Sequence, residues 1–216
     1  MPVLEKIRNV TSFRDCRDER ISRKVIGTLL EAGRNAPSPA GVHSLEFIVV
    51  EGEDAKRKVE MAVDDSRVSE SPTAIVVLRD RHRMARKIGK GNAEEAGKAE
   101  ASTAVQNMRV AAEEFNLSTC WLSGFDGEAL SDRLKVPDGK VASDVVLLGY
   151  TDHPVEMEDG FGMNEICFYN EYGNQVSTLF DGFEWEGIEE EREIVSRKWK
   201  SLKDKIQRIR SSLEES

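Results

Sequence analysis

At 216 residues, with 39% hydrophobic and 33% charged side chains, the chain suits one soluble α/β globule with extensions rather than two full domains. Its net charge of −9 argues against general binding to nucleic acid or membrane surfaces, both of which are polyanionic. No apolar run approaches the ~20 residues that span a bilayer, and the opening MPVLEKIRN lacks the apolar core of a secretory signal, so a cytoplasmic protein is expected. Cys16, Cys120 and Cys167 are widely spaced and form no CxxC, which speaks against a disulfide framework or a zinc site.

In chain order, Ser22 is placed to cap a helix over 23–35 that turns Val25, Ile26, Leu29 and Leu30 inward. Residues 36–41, APSPAG, hold two prolines and a glycine and must form a loop. The apolar runs 45–50 and 73–78 read as strands buried on both faces, with a helix over 54–61 between them. Residues 79–91 are basic and polar, with Gly89 and Gly91, and read as a mobile connection over the site. Ala101, Ala104, Val105, Met108, Ala111, Ala112 and Phe115 mark the buried stripe of a central helix over 93–115. Asn116, which tolerates left-handed geometry, is its stop signal. A short strand over 118–122, a helix over 127–134 and a strand over 141–150 follow.

Beyond Pro154 the pattern changes. Gly160–Gly187 mixes aromatics with Gly and Asn, alternates weakly at Ile166–Tyr169, and reads as an extended arm. Val195, Trp199, Leu202, Ile206, Ile209 and Leu213 step by four and three, a heptad seam that packs on a partner subunit or on its own domain. Alternating strands and helices indicate an α/β or α+β sandwich around a mixed sheet.

Ser123-Gly124-Phe125, at the exit of the short strand, lets main chain approach a partner with no Cβ in the way and so offers N–H donors to a flat, electron-accepting ring. Gln106-Asn107-Met108 followed by LSTCWLSGF resembles the core motif of the nitroreductase family of flavin enzymes. Three further segments resemble the same family in the same order: Thr11-Ser12-Phe13-Arg14, residues 36–47 (APSPAGVHSLEF), and Val146–Tyr150. The resemblance runs roughly from Ser12 to Pro154. It implies an α+β fold, a mainly antiparallel central sheet wrapped by helices with a long C-terminal helix. Residues 1–154 would be the flavin domain, and 155–216 an arm and amphipathic helix of the same domain or dimer.

The resemblance also implies bound flavin mononucleotide (FMN), reduction by NAD(P)H, a homodimer with sites built from both subunits, and a small electron-poor acceptor. Carried onto this chain, it makes Ser12, Arg14, Pro37, Ser38, Gly41, His43, Arg67, Trp121, Leu122, Ser123 and Gly124 the candidate cofactor contacts. Arg14 is the phosphate candidate, with Ser12 on the same side of extended chain. Ser38 and Ser44 are placed to meet flavin oxygens, or to do ordinary turn chemistry. His43 stands where the family has Gln; a neutral imidazole still donates one hydrogen bond. Trp121 either covers one end of the ring or packs under the helix, and Cys120 is either a functional thiol or a small buried hydrophobe. Gln106 and Asn107, adjacent on a helix, cannot both face one site.

The chain departs from the family pattern in named places. The first Arg of the N-terminal motif is Val10, the loop Asn is Gly41, and the Pro-Trp pair is Ser44-Leu45. Residues 141–191 hold no Lys or Arg but thirteen Asp and Glu, where the family usually places a phosphate-binding cation. Phosphate would then rest on Arg14 with Arg67 or Arg8. The alternative is a flavin-family scaffold that binds or assembles without turnover.

Overall fold

The computed structural model describes residues 3–156 and 161–174. The chain divides into two units, Met1–Met157 and Glu158–Ser216. The first is built on β1 (Leu45–Val50), β2 (Thr73–Asp80), β3 (Ser118–Leu122) and β4 (Lys140–Gly149), which form one antiparallel sheet in the order β1-β2-β4-β3. Val145, Val146, Leu147 and Leu148 of β4 are fully buried, as a central strand covered on both faces requires. β1 corrects the sequence reading: Val49 is 37% exposed, because β1 lies at the sheet edge and strand order is a non-local property.

One face of the sheet packs on α2 (Arg23–Arg34) and α6 (Lys90–Glu113) through Val25, Ile26, Leu29, Val105 and Met108 against Ile75, Val77, Val146 and Leu148. Ser22 caps α2 as expected, its side chain accepting from the Val25 N–H. α6 ends in a Schellman motif: Asn116 is left-handed at φ 53°, Leu117 N donates to Ala112 O, and Asn116 N to Glu113 O. The opposite face is covered by α3 (Glu53–Val63), α4 (Arg67–Glu70) and α7 (Gly127–Arg133) through Val59, Val68 and Leu130. Buried Lys56 joins α3 to α4, donating to the carbonyls of Ser69 (3.0 Å) and Ser71 (3.2 Å). α1 (Val3–Arg8) lies outside both layers and buries no residue.

Residues 79–91 are also corrected. They complete β2 and form α5 (Arg81–Ile88), which Asp80 caps by accepting from Arg83 N at 2.7 Å and which Met84 anchors at 1% exposure. Gly89, at φ +83°, separates α5 from α6. In the second unit, α8 (Met163–Ile166) ends where the expected alternation at Ile166–Tyr169 begins, Cys167–Tyr169 is not helical, and the rings of Phe168 and Tyr172 lie 4.4 Å apart. The heptad seam over 195–213 falls outside the described residues.

Two glycines of opposite character test the packing. An added Cβ at Gly127 would overlap the Ala142 carbonyl oxygen, whereas one at Gly27 on α2 meets nothing within 4 Å. Gly127→Ala is expected to cost ~1–3 kcal/mol, and Gly27→Ala to add ~0.5–1 kcal/mol, both read by urea unfolding.

Candidate functional site

β3 leaves the sheet through an open bend. Ser123 and Gly124 are exposed, Gly124 has φ +79°, and an ideal Cβ there meets nothing within 4 Å. Asp126 spends its carboxylate on capping α7, accepting from Glu128 N at 3.1 Å and Ala129 N at 3.0 Å. The main-chain N–H groups of Ser123 and Gly124 have no acceptor among the described residues. Leu122 tucks half-buried against the lower core. Trp121 is 36% exposed and donates its indole N–H to Oδ1 of buried Asp144 at 2.8 Å. Asp144 sits beside a bulge: Val77 faces Asp144 and Leu78 faces Ala142, leaving Ser143 as the extra residue.

The loop before β1 holds three left-handed residues, Ala40 (φ 52°), Gly41 (φ 65°) and His43 (φ 51°), two of which pay a Cβ penalty. Its hydrogen bonds show how that backbone is held. His43 N donates to Ser38 Oγ at 2.8 Å, and His43 O accepts from Arg83 Nη1 at 2.8 Å. Ser44, fully buried, donates its N–H (3.2 Å) and its hydroxyl (2.5 Å) to the Glu100 carboxylate on α6. Ser44 is therefore committed to Glu100 and Ser38 to the loop itself, while Pro37, Gly41 and the His43 side chain remain exposed.

Ser12, Arg67 and Cys120 converge below β3. Thr119 N donates to Thr11 O, and Ser12 exchanges both main-chain bonds with Val155 at 2.8 Å, so the N-terminal motif lies along the β3 edge. Ser12 Oγ is 3.1 Å from Cys120 Sγ, which also donates to Phe13 O at 3.1 Å; the thiol is 98% buried and acts as a packed, hydrogen-bonded core group. Arg67 Nη1 is 3.6 Å from Cys120 Sγ, but its guanidinium is held by Asp65 at 2.5 and 2.9 Å. That pairing raises Arg67 above the usual arginine range and lowers Asp65. Arg14 is exposed and forms no ion pair among the described residues. Arg8, at the end of α1, is exposed as well.

On α6 the two adjacent amides diverge as their spacing requires. Asn107 donates to Ala32 O of α2 at 3.2 Å, while Gln106 Oε1 accepts from Arg109. Arg109, whose burial lowers its pKa, also donates to Thr119 Oγ1 at 3.2 Å.

α5 joins the two candidate ring-binding segments. Arg83 reaches the His43 carbonyl and Glu46 at 3.2 Å, and Arg81 pairs with Glu128 on the first turn after the bend. Glu46 also holds Lys140 at 2.6 Å. Glu100, Arg83 and Asp144 were not singled out by sequence reasoning. Glu100 did carry a signal, since it sits on the same small-residue stripe as Gly97, Ala101 and Ala104. The Glu100→Ala variant leaves the Ser44 donors buried without an acceptor and is expected to lose ~1–3 kcal/mol in urea unfolding. Hydrogen exchange at Ser44 should quicken, Glu100→Gln should cost less, and wild-type stability of Glu100→Ala would show that the loop does not lean on this carboxylate.

Comparison with known proteins follows this geometry. No curated protein matches the chain significantly. Among solved structures, the Parabacteroides distasonis protein assigned as an NADH dehydrogenase/NAD(P)H nitroreductase aligns with TM-score 0.70 and 25% identity, over 80% of this chain and 99% of its own. An FMN-dependent nitroreductase from Clostridium difficile aligns with TM-score 0.67 and 20% identity, over 78% and 99%. The NADPH:FMN oxidoreductase of Vibrio harveyi, complexed with NAD+, aligns with TM-score 0.71 and 18% identity, over 80% and 78%. A family model described as the nitroreductase family matches residues 7–66 and 60–150, so most of the first unit carries its pattern and the chain belongs to the nitroreductase family.

Proposed function

We propose that this chain is an FMN-dependent oxidoreductase that passes electrons from NAD(P)H to a small electron-poor acceptor, a nitro compound or quinone, in a ping-pong cycle. The observation that carries the reading is the pair of unpartnered N–H groups at Ser123 and Gly124 beside open space. Such donors suit the edge of a flavin, where negative charge gathers on reduction. FMN, when bound, supplies the two-electron relay between nicotinamide and acceptor. Ser123 and Gly124 hold the ring edge, and Trp121, tethered to Asp144, screens one end of it. Pro37, Ser38, Gly41 and His43 bound the loop side. Arg14, with Ser12, meets the phosphate; from Cys120 to Gly124 the strand and its exit span ~13 Å, room for an elongated cofactor. No side chain is needed as an acid or base beyond water.

In this reading residues 1–154 are the flavin domain and 155–216 an arm and helix of the same domain or dimer, and each site of a homodimer is built from both subunits, the loop over 37–45 serving the partner's flavin. The nitroreductase and oxidoreductase neighbours support the reading, one being FMN-dependent and another holding NAD+. Among the described residues no helix is long and apolar enough to cross a membrane. A second reading, a scaffold with weak or lost turnover, draws on the Asp65 clamp, which removes Arg67 as a free phosphate ligand.

The visible spectrum separates the two. Flavin bands on purification or on FMN titration, bleached by NADH or NADPH and restored by a quinone, are expected; a protein that gains no flavin absorbance in saturating FMN is not this enzyme. Arg14→Ala should weaken FMN by about ten- to a hundredfold. Arg67→Ala should act mainly on stability, because its charge is already matched by Asp65.

A further inference from the structure

α5 carries charge that the flavin reading leaves unassigned. Residues 81–90, RHRMARKIGK, carry five Lys and Arg and no acid in a chain of net charge −9. Two of these cations are neutralised: Arg81 by Glu128, and Arg83 by Glu46 and Asp80. Arg86, Lys87 and Lys90 are exposed and form no ion pair among the described residues. Arg86 and Lys87 stand three and four positions after Arg83 and so share its side of the helix. Arg83 itself holds the His43 carbonyl at 2.8 Å, and Arg81 pairs with Glu128 on α7, so the helix that carries Arg86 and Lys87 is tied to the loop before β1 and to the helix that follows the Gly124 bend.

We propose that Arg86, Lys87 and Lys90 form the recognition site for the phosphorylated adenosine end of the reductant, and that the extra 2′-phosphate makes this chain prefer NADPH over NADH. Nicotinamide at the Ser123–Gly124 bend would leave its adenosine half outside the ring pocket, against the nearest surface. That surface is α5. A 2′-phosphate near −2 charge facing uncompensated cations gains charge-assisted hydrogen bonds that the 2′-hydroxyl of NADH cannot make. The site rests on the reading of the chain as a flavin oxidoreductase reduced by NAD(P)H.

Binding of 2′,5′-ADP and 5′-ADP to the full chain, measured by calorimetry at low and high salt, tests it without any turnover. Wild type should bind 2′,5′-ADP about tenfold tighter, with the margin shrinking as salt rises. The Arg86→Gln/Lys87→Gln double variant should lose the margin, while Lys24→Gln on α2 should keep it. The kcat/KM ratio of NADPH to NADH should fall in parallel. Equal binding of the two nucleotides by wild type, no binding of either, or a margin that survives in the double variant overturns the proposal. If the double variant instead loses FMN relative to riboflavin and keeps its 2′,5′-ADP margin, the cations serve the flavin phosphate and the proposal also falls. Failure of the flavin reading itself is seen separately, as a missing FMN spectrum.

Discussion

A carboxylate buried at 2% exposure on the central helix holds the loop that leads into β1. Glu100 receives both the N–H and the hydroxyl of Ser44, the last residue before β1, and faces no cation within ion-pair distance among the described residues. Burying such a group is costly unless its hydrogen bonds are made, so the two donors and the acid hold each other in place. That fixed point lets the preceding backbone sit in left-handed geometry at Ala40, Gly41 and His43, which an unanchored loop would relax. Ser38 and Arg83 then grip His43 by its N–H and its carbonyl, turning its imidazole outward on a backbone that cannot swing.

The same logic of spent and unspent groups separates the cations. Lys56, Arg67, Arg79, Arg81 and Arg83 are each committed to a carboxylate or to main-chain carbonyls, and they act as struts. Arg67 is the clearest case. Its position under β3 fits a phosphate ligand, yet Asp65 occupies the fork of its guanidinium, and a bidentate partner leaves little to offer an exogenous anion. Arg14, Arg86, Lys87 and Lys90 have no such partner among the described residues and lie toward solvent. They share that state with other surface cations such as Arg20, Lys24, Arg57 and Lys58, and differ from them in standing on or near the segments the flavin reading uses.

What could be read from the chain alone follows from how local each signal is. Ser22 as a cap, Asn116 as a left-handed stop and the apolar stripe of α6 depend on neighbours three or four residues away, and they stand as expected. The exposure of β1 depends on which strand ends the sheet, and no local pattern records that. α5 was hidden for a different reason: its one deeply buried side chain is Met84, and the rest of its surface is basic, so it shows no apolar stripe. The candidate segments are marked in sequence by their glycines and prolines, whereas the residues that hold the loop before β1, Glu100 and Arg83, are distant in sequence and join it only through the fold.

At the bend after β3, the chemistry turns on which groups the fold leaves unsatisfied. Asp126 caps α7, Trp121 finds Asp144 across the Ser143 bulge, and Arg81 closes on Glu128, so these side chains near the turn are spent inside the protein. The amide N–H groups of Ser123 and Gly124 are among those left without an acceptor among the described residues. Main-chain donors of this kind cannot rotate away, carry no proton to lose near neutral pH, and need no reorganisation when charge builds on an acceptor beside them. In the proposed reading, a site made this way would stabilise a reduced ring by position alone. On that reading, electron transfer would need no catalytic dyad, and acceptor choice would fall to whatever the surrounding loop and helix admit.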